Sequence, residues 1–137
     1  MNTIFATLGS GLPLLLSQFG VTLGLLALGS VCYMAVTPFQ EMRLIRDGNT
    51  AAGVVLAGTL VALAIPLATT LATSHVTLDI LLWGLVALAI QLLTFIIAAA
   101  VIRDLRGMIE RGNVAAAWLL VGIQLAVALL NAGAMAG

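Results

Sequence analysis

Ile45-Arg46-Asp47-Gly48-Asn49-Thr50-Ala51-Ala52 and Ile109-Glu110-Arg111-Gly112-Asn113-Val114-Ala115-Ala116 are two versions of one polar block, 64 residues apart, each set between long apolar runs. Laying Asn49 on Asn113 also lays Ala35 on Ala99, Leu56 on Leu120, Gly58 on Gly122, Ala62 on Ala126, Ala64 on Ala128 and Ala68 on Ala132. That spacing reads as a duplicated membrane hairpin. The expected architecture is an all-α integral membrane protein, a single membrane domain over 1-137, with repeat one at about 13-72 and repeat two at about 78-135. Each repeat holds two spans, so the copies share one orientation. They are then related by a pseudo-two-fold axis along the membrane normal, unlike inverted repeats, whose axis lies in the membrane plane.

Composition supports the class. The chain is 63% hydrophobic and 7% charged, against roughly 25% charged in soluble domains. Too few polar residues remain to cover a soluble fold, so lipid is the solvent for most of the surface. Zero net charge and the absence of Lys exclude a nucleic-acid partner, because phosphate binding needs a basic surface. The single cysteine, Cys32, lies in an apolar run and has no partner for an internal disulfide.

Four apolar stretches reach spanning length: Pro13 to Val36, Thr50 to Ala72, Leu78 to Ile102 and Val114 to Met135. A hydrocarbon core of about 30 Å needs about 20 helical residues. Their unbroken runs exclude a β-barrel of alternating strands. Met1 to Leu12 has no basic stretch and reads as uncleaved, with Gly9-Ser10-Gly11 separating a short interfacial segment from the first span. All five arginines, Arg43, Arg46, Arg103, Arg106 and Arg111, follow the first and third spans. The positive-inside rule therefore places both Arg-bearing connections in the cytoplasm and both termini outside. The acids Glu41, Asp47, Asp104 and Glu110 share those connections, while Asp79 follows Thr77, an expected N-cap, where the helix dipole favours a carboxylate.

The repeated block has the chemistry of a tight re-entry turn. Thr37-Pro38-Phe39-Gln40 reads as a capping box opening a short helix whose Gln40, Arg43 and Asp47 face water. Gly48 and Gly112 end the short helices, and Asn49 and Asn113 cap the spans that follow. Reversed charges at matched positions, Arg46 against Glu110 and Asp47 against Arg111, predict pairing across the repeats. Arg43, Arg46, Asp47, Gly48, Asn49, Arg106, Glu110, Arg111, Gly112 and Asn113 together form a candidate docking surface for a cytoplasmic protein, or simply what two hairpins need to turn round.

Polar residues within the spans point to function in membrane proteins. Gln91 and Gln124 fall about 16 Å deep at 1.5 Å per residue, on antiparallel neighbours. Either they are interhelical glue, or with Thr94 they line a polar constriction. Pro66 and Asn131 lie late in the second and fourth spans, where a proline kink frees a carbonyl; Asn131 either bonds such a group or simply reaches interfacial water. Trp83 and Trp118 read as interface anchors. Gly20, Gly24, Gly53, Ala57, Gly58, Ala62, Gly122 and Ala126 recur at four-residue spacing and permit close helix contact. His75 has no second metal ligand near it in sequence.

Thr37-Pro38, the run Leu44 to Ala52, Pro66-Leu67 and Gly112-Asn113-Val114-Ala115-Ala116 resemble the YjfL-like family of small bacterial inner-membrane proteins, over nearly the whole chain from about Leu15 onward. The resemblance implies four spans in two repeats, an inner-membrane location and a setting near phage-shock or envelope-stress components. It supplies no catalytic residue. The residues themselves show no nucleophile beside a base, no metal-spaced cluster and no phosphate-binding glycine loop, so neither catalysis nor a cofactor is expected. Two readings follow: a homo-oligomerising, partner-recruiting membrane scaffold, and a small oligomeric channel or transporter.

Overall fold

The computed structural model describes residues 2–37 and 40–137. In chain order it forms α1 (Asn2–Val36), α2 (Glu41–Arg46), α3 (Thr50–Thr73), α4 (Thr77–Val101), α5 (Leu105–Glu110) and α6 (Val114–Ala136). The four long helices, α1, α3, α4 and α6, are each long and apolar enough to cross a membrane. At about 1.5 Å per residue α3, α4 and α6 are roughly 36 Å long and α1 is about 52 Å. The short helices α2 and α5 lie at one end of the bundle with all five arginines, and this is called the charged end. The His75 loop marks the far end.

Three element boundaries differ from the sequence reading. α1 runs straight through Gly9-Ser10-Gly11 and Pro13. Ser10 donates back to the Ala6 carbonyl at 3.1 Å and Thr7 to Thr3 at 2.8 Å, so hydroxyls reinforce the ladder there, and Pro13 removes only one of its donors. α4 starts after Val76, which makes no side-chain cap, so Thr77 is its first helical residue; Asp79 does lie in the first turn. Thr37 closes α1 rather than opening α2, its hydroxyl donating to the Tyr33 carbonyl at 2.6 Å. Pro38 and Phe39 of the expected capping box lie outside the described residues, and Gln40, next to α2, makes no side-chain cap bond.

α3 and α6 form the most extensive helix pair, and α1 and α4 pack around them. One apolar cluster fills the charged end, with Tyr33, Val55, Phe95, Leu105, Ile109 and Leu120 at its centre. A second, of Leu25, Leu63, Leu67, Ile80 and Leu88, joins α1, α3 and α4 farther along. Tyr33 and Phe95 meet edge to face with centroids 4.8 Å apart, a favoured aromatic geometry.

Of the small residues noted above, Gly58 and Ala62 are used inside the chain. Ala62 is buried, and a Cβ on Gly58 would strike the branched side chain of Val121, whereas Gly20, Gly24, Gly53 and Gly122 meet nothing. Absence of a side chain at 58 is what lets α3 approach α6. Gly58→Ala should therefore cost about 1–3 kcal/mol through overpacking, while Gly122→Ala, at the matching position, should be neutral or slightly stabilising. Thermal unfolding of the two purified variants in detergent checks this contrast.

Candidate functional site

At the charged end the two polar blocks have the same backbone. Gly48 and Gly112 have φ of 84° and 82°, the left-handed conformation that glycine adopts without steric cost. Asn49 accepts from Ala52 N at 3.0 Å and Asn113 from Ala116 N at 3.1 Å. Both are N-caps as their spacing predicts.

Beyond the caps the blocks diverge. The Asn49 amide nitrogen donates to the Ile109 carbonyl at 2.8 Å and the Glu110 carbonyl at 3.3 Å, which ties the first turn to the end of α5. The expected charge pairing across the blocks does not occur. Arg106 pairs with Glu110 at 2.8 Å and Arg111 with Asp104 at 3.1 Å, both within the second block. The first pair has the i,i+4 spacing that brings side chains together on a helix. The second depends on Gly107, where a Cβ would collide with the Asp104 carboxylate. At the place of Gly107 the first block has Arg43, and so cannot reproduce it. Arg43, Arg46, Asp47 and Arg103 are exposed and make no ion pair among the described residues.

Deeper in the bundle, Gln91 and Gln124 come together. Gln91 Nε2 donates to the Gln124 carbonyl at 3.2 Å, and Gln124 Oε1 accepts from the Thr59 hydroxyl at 3.2 Å. All three residues are buried. Thr94 does not join them; its hydroxyl bonds back to Ile90 at 2.8 Å. Sequence reasoning missed Thr59, although it lies as deep in α3 as Gln124 does in α6.

Sequence reasoning also missed the residues that extend this group toward the charged end. Glu41, one of the acids that the sequence places in the Arg-bearing connections, is 2% exposed, and Tyr33 is 1% exposed. The Tyr33 hydroxyl lies among Thr59, Glu41 and Thr37, without a well-formed hydrogen bond to any of them. Burial raises the Glu41 carboxyl above its ordinary value, partly offset by the Thr37 and Tyr33 hydroxyls. A detectable signal existed in the sequence. At the 64-residue offset Glu41 falls on Leu105, which is buried, and Thr59 falls on Ile123.

At the far end a cavity of about 590 Å³ lies between α3, α4 and α6, from His75 and Asp79 at its mouth to Ile90, with Trp83 and Asn131 in its wall. The volume is in the usual range for small-ligand pockets, about 300–1,000 Å³. Asn131 is buried, and its amide nitrogen has no partner, so it does not meet a carbonyl freed by Pro66. Thr70 donates to the carbonyl of Pro66 itself at 3.0 Å, whereas the carbonyl that the ring deprives of its helical donor is that of Ala62, four residues earlier.

A family model described as Domain of Unknown Function (DUF350) matches residues 7–135. The inner membrane protein YjfL of Escherichia coli K12 is 35% identical over 103 residues, covering 75% of this chain and 78% of that protein. Its counterpart in Escherichia coli O157:H7 matches to the same extent. No solved structure matches the chain.

Two outcomes are expected of this region. Asn49→Ala should cost about 1–2 kcal/mol more than Asn113→Ala, because it loses interblock bonds as well as a cap worth about 1 kcal/mol; paired unfolding curves measure the difference. For Glu41, a folded-state pKa above 4.5 means that the native state binds more protons than the unfolded state between the two values. Stability should then fall as pH rises through that window. Glu41→Gln should flatten this dependence and be the more stable protein at pH 8, as read by thermal midpoint across pH.

Proposed function

We propose that this chain, which belongs to the DUF350 family, is a non-catalytic oligomeric scaffold of the bacterial inner membrane that works in envelope stress. Its charged end faces the cytoplasm, a reading that the clustering of all five arginines there supports under the positive-inside rule. The exposed Arg43, Arg46, Asp47 and Arg103 recruit a protein partner through charge complementarity.

The observation that carries the oligomer is the unpartnered length of α1. Its buried residues are Leu25, Gly29 and Tyr33; Asn2 to Ser17 is exposed throughout, and Gln18, Val21 and Thr22 are half-buried. Counting about 20 residues back from Val36 uses up a 30 Å hydrocarbon core near Ser17. The turns before it carry Ile4, Phe5, Leu8 and Leu12, each 45–65% exposed, beyond that thickness. A second copy of α1 covers this face most simply, with Gly20 and Gly24 allowing close approach.

The far-end cavity favours a second reading, a small channel or transporter. Along α4 its lining runs as deep as Ile90, which is 37% exposed, whereas Gln91 points into the bundle at 4% exposure.

Mass determination of the purified protein in detergent tests the first reading. Wild type should be oligomeric and Gly20→Leu/Gly24→Leu should shift toward monomer; a monomeric wild type would refute it. Solute flux into proteoliposomes, lost in Gln91→Leu and Gln124→Leu, is the expectation of the second.

A further inference from the structure

Among the described residues, four buried side-chain polar atoms lack a hydrogen-bond partner: Tyr33 Oη, Glu41 Oε1, Gln91 Oε1 and Asn131 Nδ2. Three of them belong to one line of polar side chains. It starts with Glu41 at the charged end, passes the hydroxyls of Thr37, Tyr33 and Thr59, and reaches the Gln124 side-chain amide through the 3.2 Å bond from Thr59; Gln91 joins it by donating to the Gln124 main-chain carbonyl at 3.2 Å. Thr59, Gln124 and Gln91 each lie about 15 Å from the charged ends of their helices, which is half of a 30 Å core. The fourth atom belongs to Asn131, which lines the far-end cavity.

Helix packing does not demand a carboxyl at position 41. At the 64-residue offset Glu41 falls on Leu105, Tyr33 on Ile97, Thr59 on Ile123, Leu60 on Gln124 and Ala27 on Gln91. Leu105 is buried as Glu41 is, so an apolar side chain packs that position in the other block, whereas Ile97 and Leu60 face outward and the polar residues opposite them have no packed apolar counterpart. An unpaired polar atom buried in an apolar surround typically costs about 1–3 kcal/mol. Such atoms in native proteins seat internal water or serve a function.

We propose that Glu41, Tyr33 and Thr59, with internal waters seated on these unpaired atoms, form a proton path between the charged end and the far-end cavity. This names the proton as the cargo under the second reading above, and it rests on that reading. The step is an exchange of O–H bonds with no redox change. One Glu41 oxygen takes a proton from water at the charged end while the carboxyl gives one up to water or to the Tyr33 oxygen; the Tyr33 hydroxyl passes its own proton to the Thr59 oxygen, Thr59 turns from Gln124 to give its own to a midplane water, and that water releases one to water in the far-end cavity. Carboxyl, hydroxyl and water each donate and accept, as a relay requires, whereas an amide nitrogen only donates. Gln91 and Gln124 therefore orient water at the midplane rather than carry the proton themselves. Buried carboxylates in membrane proteins recur in such relays.

The test is proton flux in proteoliposomes of the full chain, driven by a potassium diffusion potential and read with an entrapped pH dye. Wild type should pass protons faster than empty vesicles. Glu41→Gln and Tyr33→Phe should each reduce the protein-dependent rate at least about tenfold, and Ser10→Ala, on the bare part of α1, should not. Glu41→Leu places at 41 the side chain that position 105 packs in its own turn, so its loss of flux is not a folding defect if its helical circular dichroism is unchanged. Glycerol flux, followed by light scattering in separate vesicles, separates the two ideas. Protein that passes glycerol but no protons overturns the proton path and leaves the passage standing; no flux of either kind overturns both. Proton flux that survives Glu41→Gln and Tyr33→Phe overturns the assignment of these residues.

Discussion

The amide of Asn49 is the interaction on which the rest of the bundle depends. Its oxygen closes the first turn of α3, and its nitrogen takes two carbonyls at the end of α5. Helix ends leave carbonyls without intrahelical partners, and inside or beside a bilayer those groups need a protein donor. One side chain meets both needs, and in doing so sets the start of α3 against the end of the preceding turn of α6. From there the two helices descend in register: Gly58 reaches Val121, and Thr59 reaches Gln124. Asn113 has the same cap bond, but its nitrogen makes no reciprocal bond among the described residues. The bundle is thus pinned from one side.

Asymmetry of this kind recurs wherever the structure departs from two equal halves. Gly107 makes room for the Asp104–Arg111 pair, and its counterpart Arg43 cannot. Gly58 is filled by Val121, and its counterpart Gly122 is empty. Glu41 is buried where its counterpart is a leucine. Of these only Glu41 is a buried polar group, and such a group is favourable only when fully paired.

The spans, the turns and their caps were legible because each rests on local chemistry. Long apolar runs have one explanation in lipid, Gly48 and Gly112 have the φ that glycine tolerates, and asparagine oxygen caps the helix it precedes. Errors arose where local rules allow two outcomes. Gly9-Ser10-Gly11 resembles a break, but hydroxyl back-bonding keeps the helix going. Reversed charges at 46/110 and 47/111 look complementary, but spacing within α5 supplied a nearer partner. Glu41 looks like one more solvated acid, because nothing local distinguishes it from Asp47; only the packing of α2 beneath α1 and α3 buries it. Tyr33 and Thr59 drew no attention for the same reason, since a single hydroxyl within an apolar run has an adequate local role in bonding its own helix.

The two ends of the bundle differ in how a solute would reach its middle. At the far end α6 finishes in Asn131-Ala132-Gly133-Ala134-Met135-Ala136-Gly137, side chains mostly too small to fill the space against α4, and a cavity opens to Ile90. At the charged end Tyr33, Phe95, Leu105, Ile109 and Leu120 fill the interior, and the Tyr33–Phe95 contact leaves no lumen between them. On that side Glu41, Thr37, Tyr33 and Thr59 stand near one another without an unbroken chain of direct hydrogen bonds, so a proton crosses them only with single waters between. A hydrated ion or a neutral solute needs an open bore, whereas a proton needs only successive oxygens within hydrogen-bonding reach. Packing that is closed to everything larger, yet lined by a carboxyl and hydroxyls, is therefore consistent with selection for the smallest cargo.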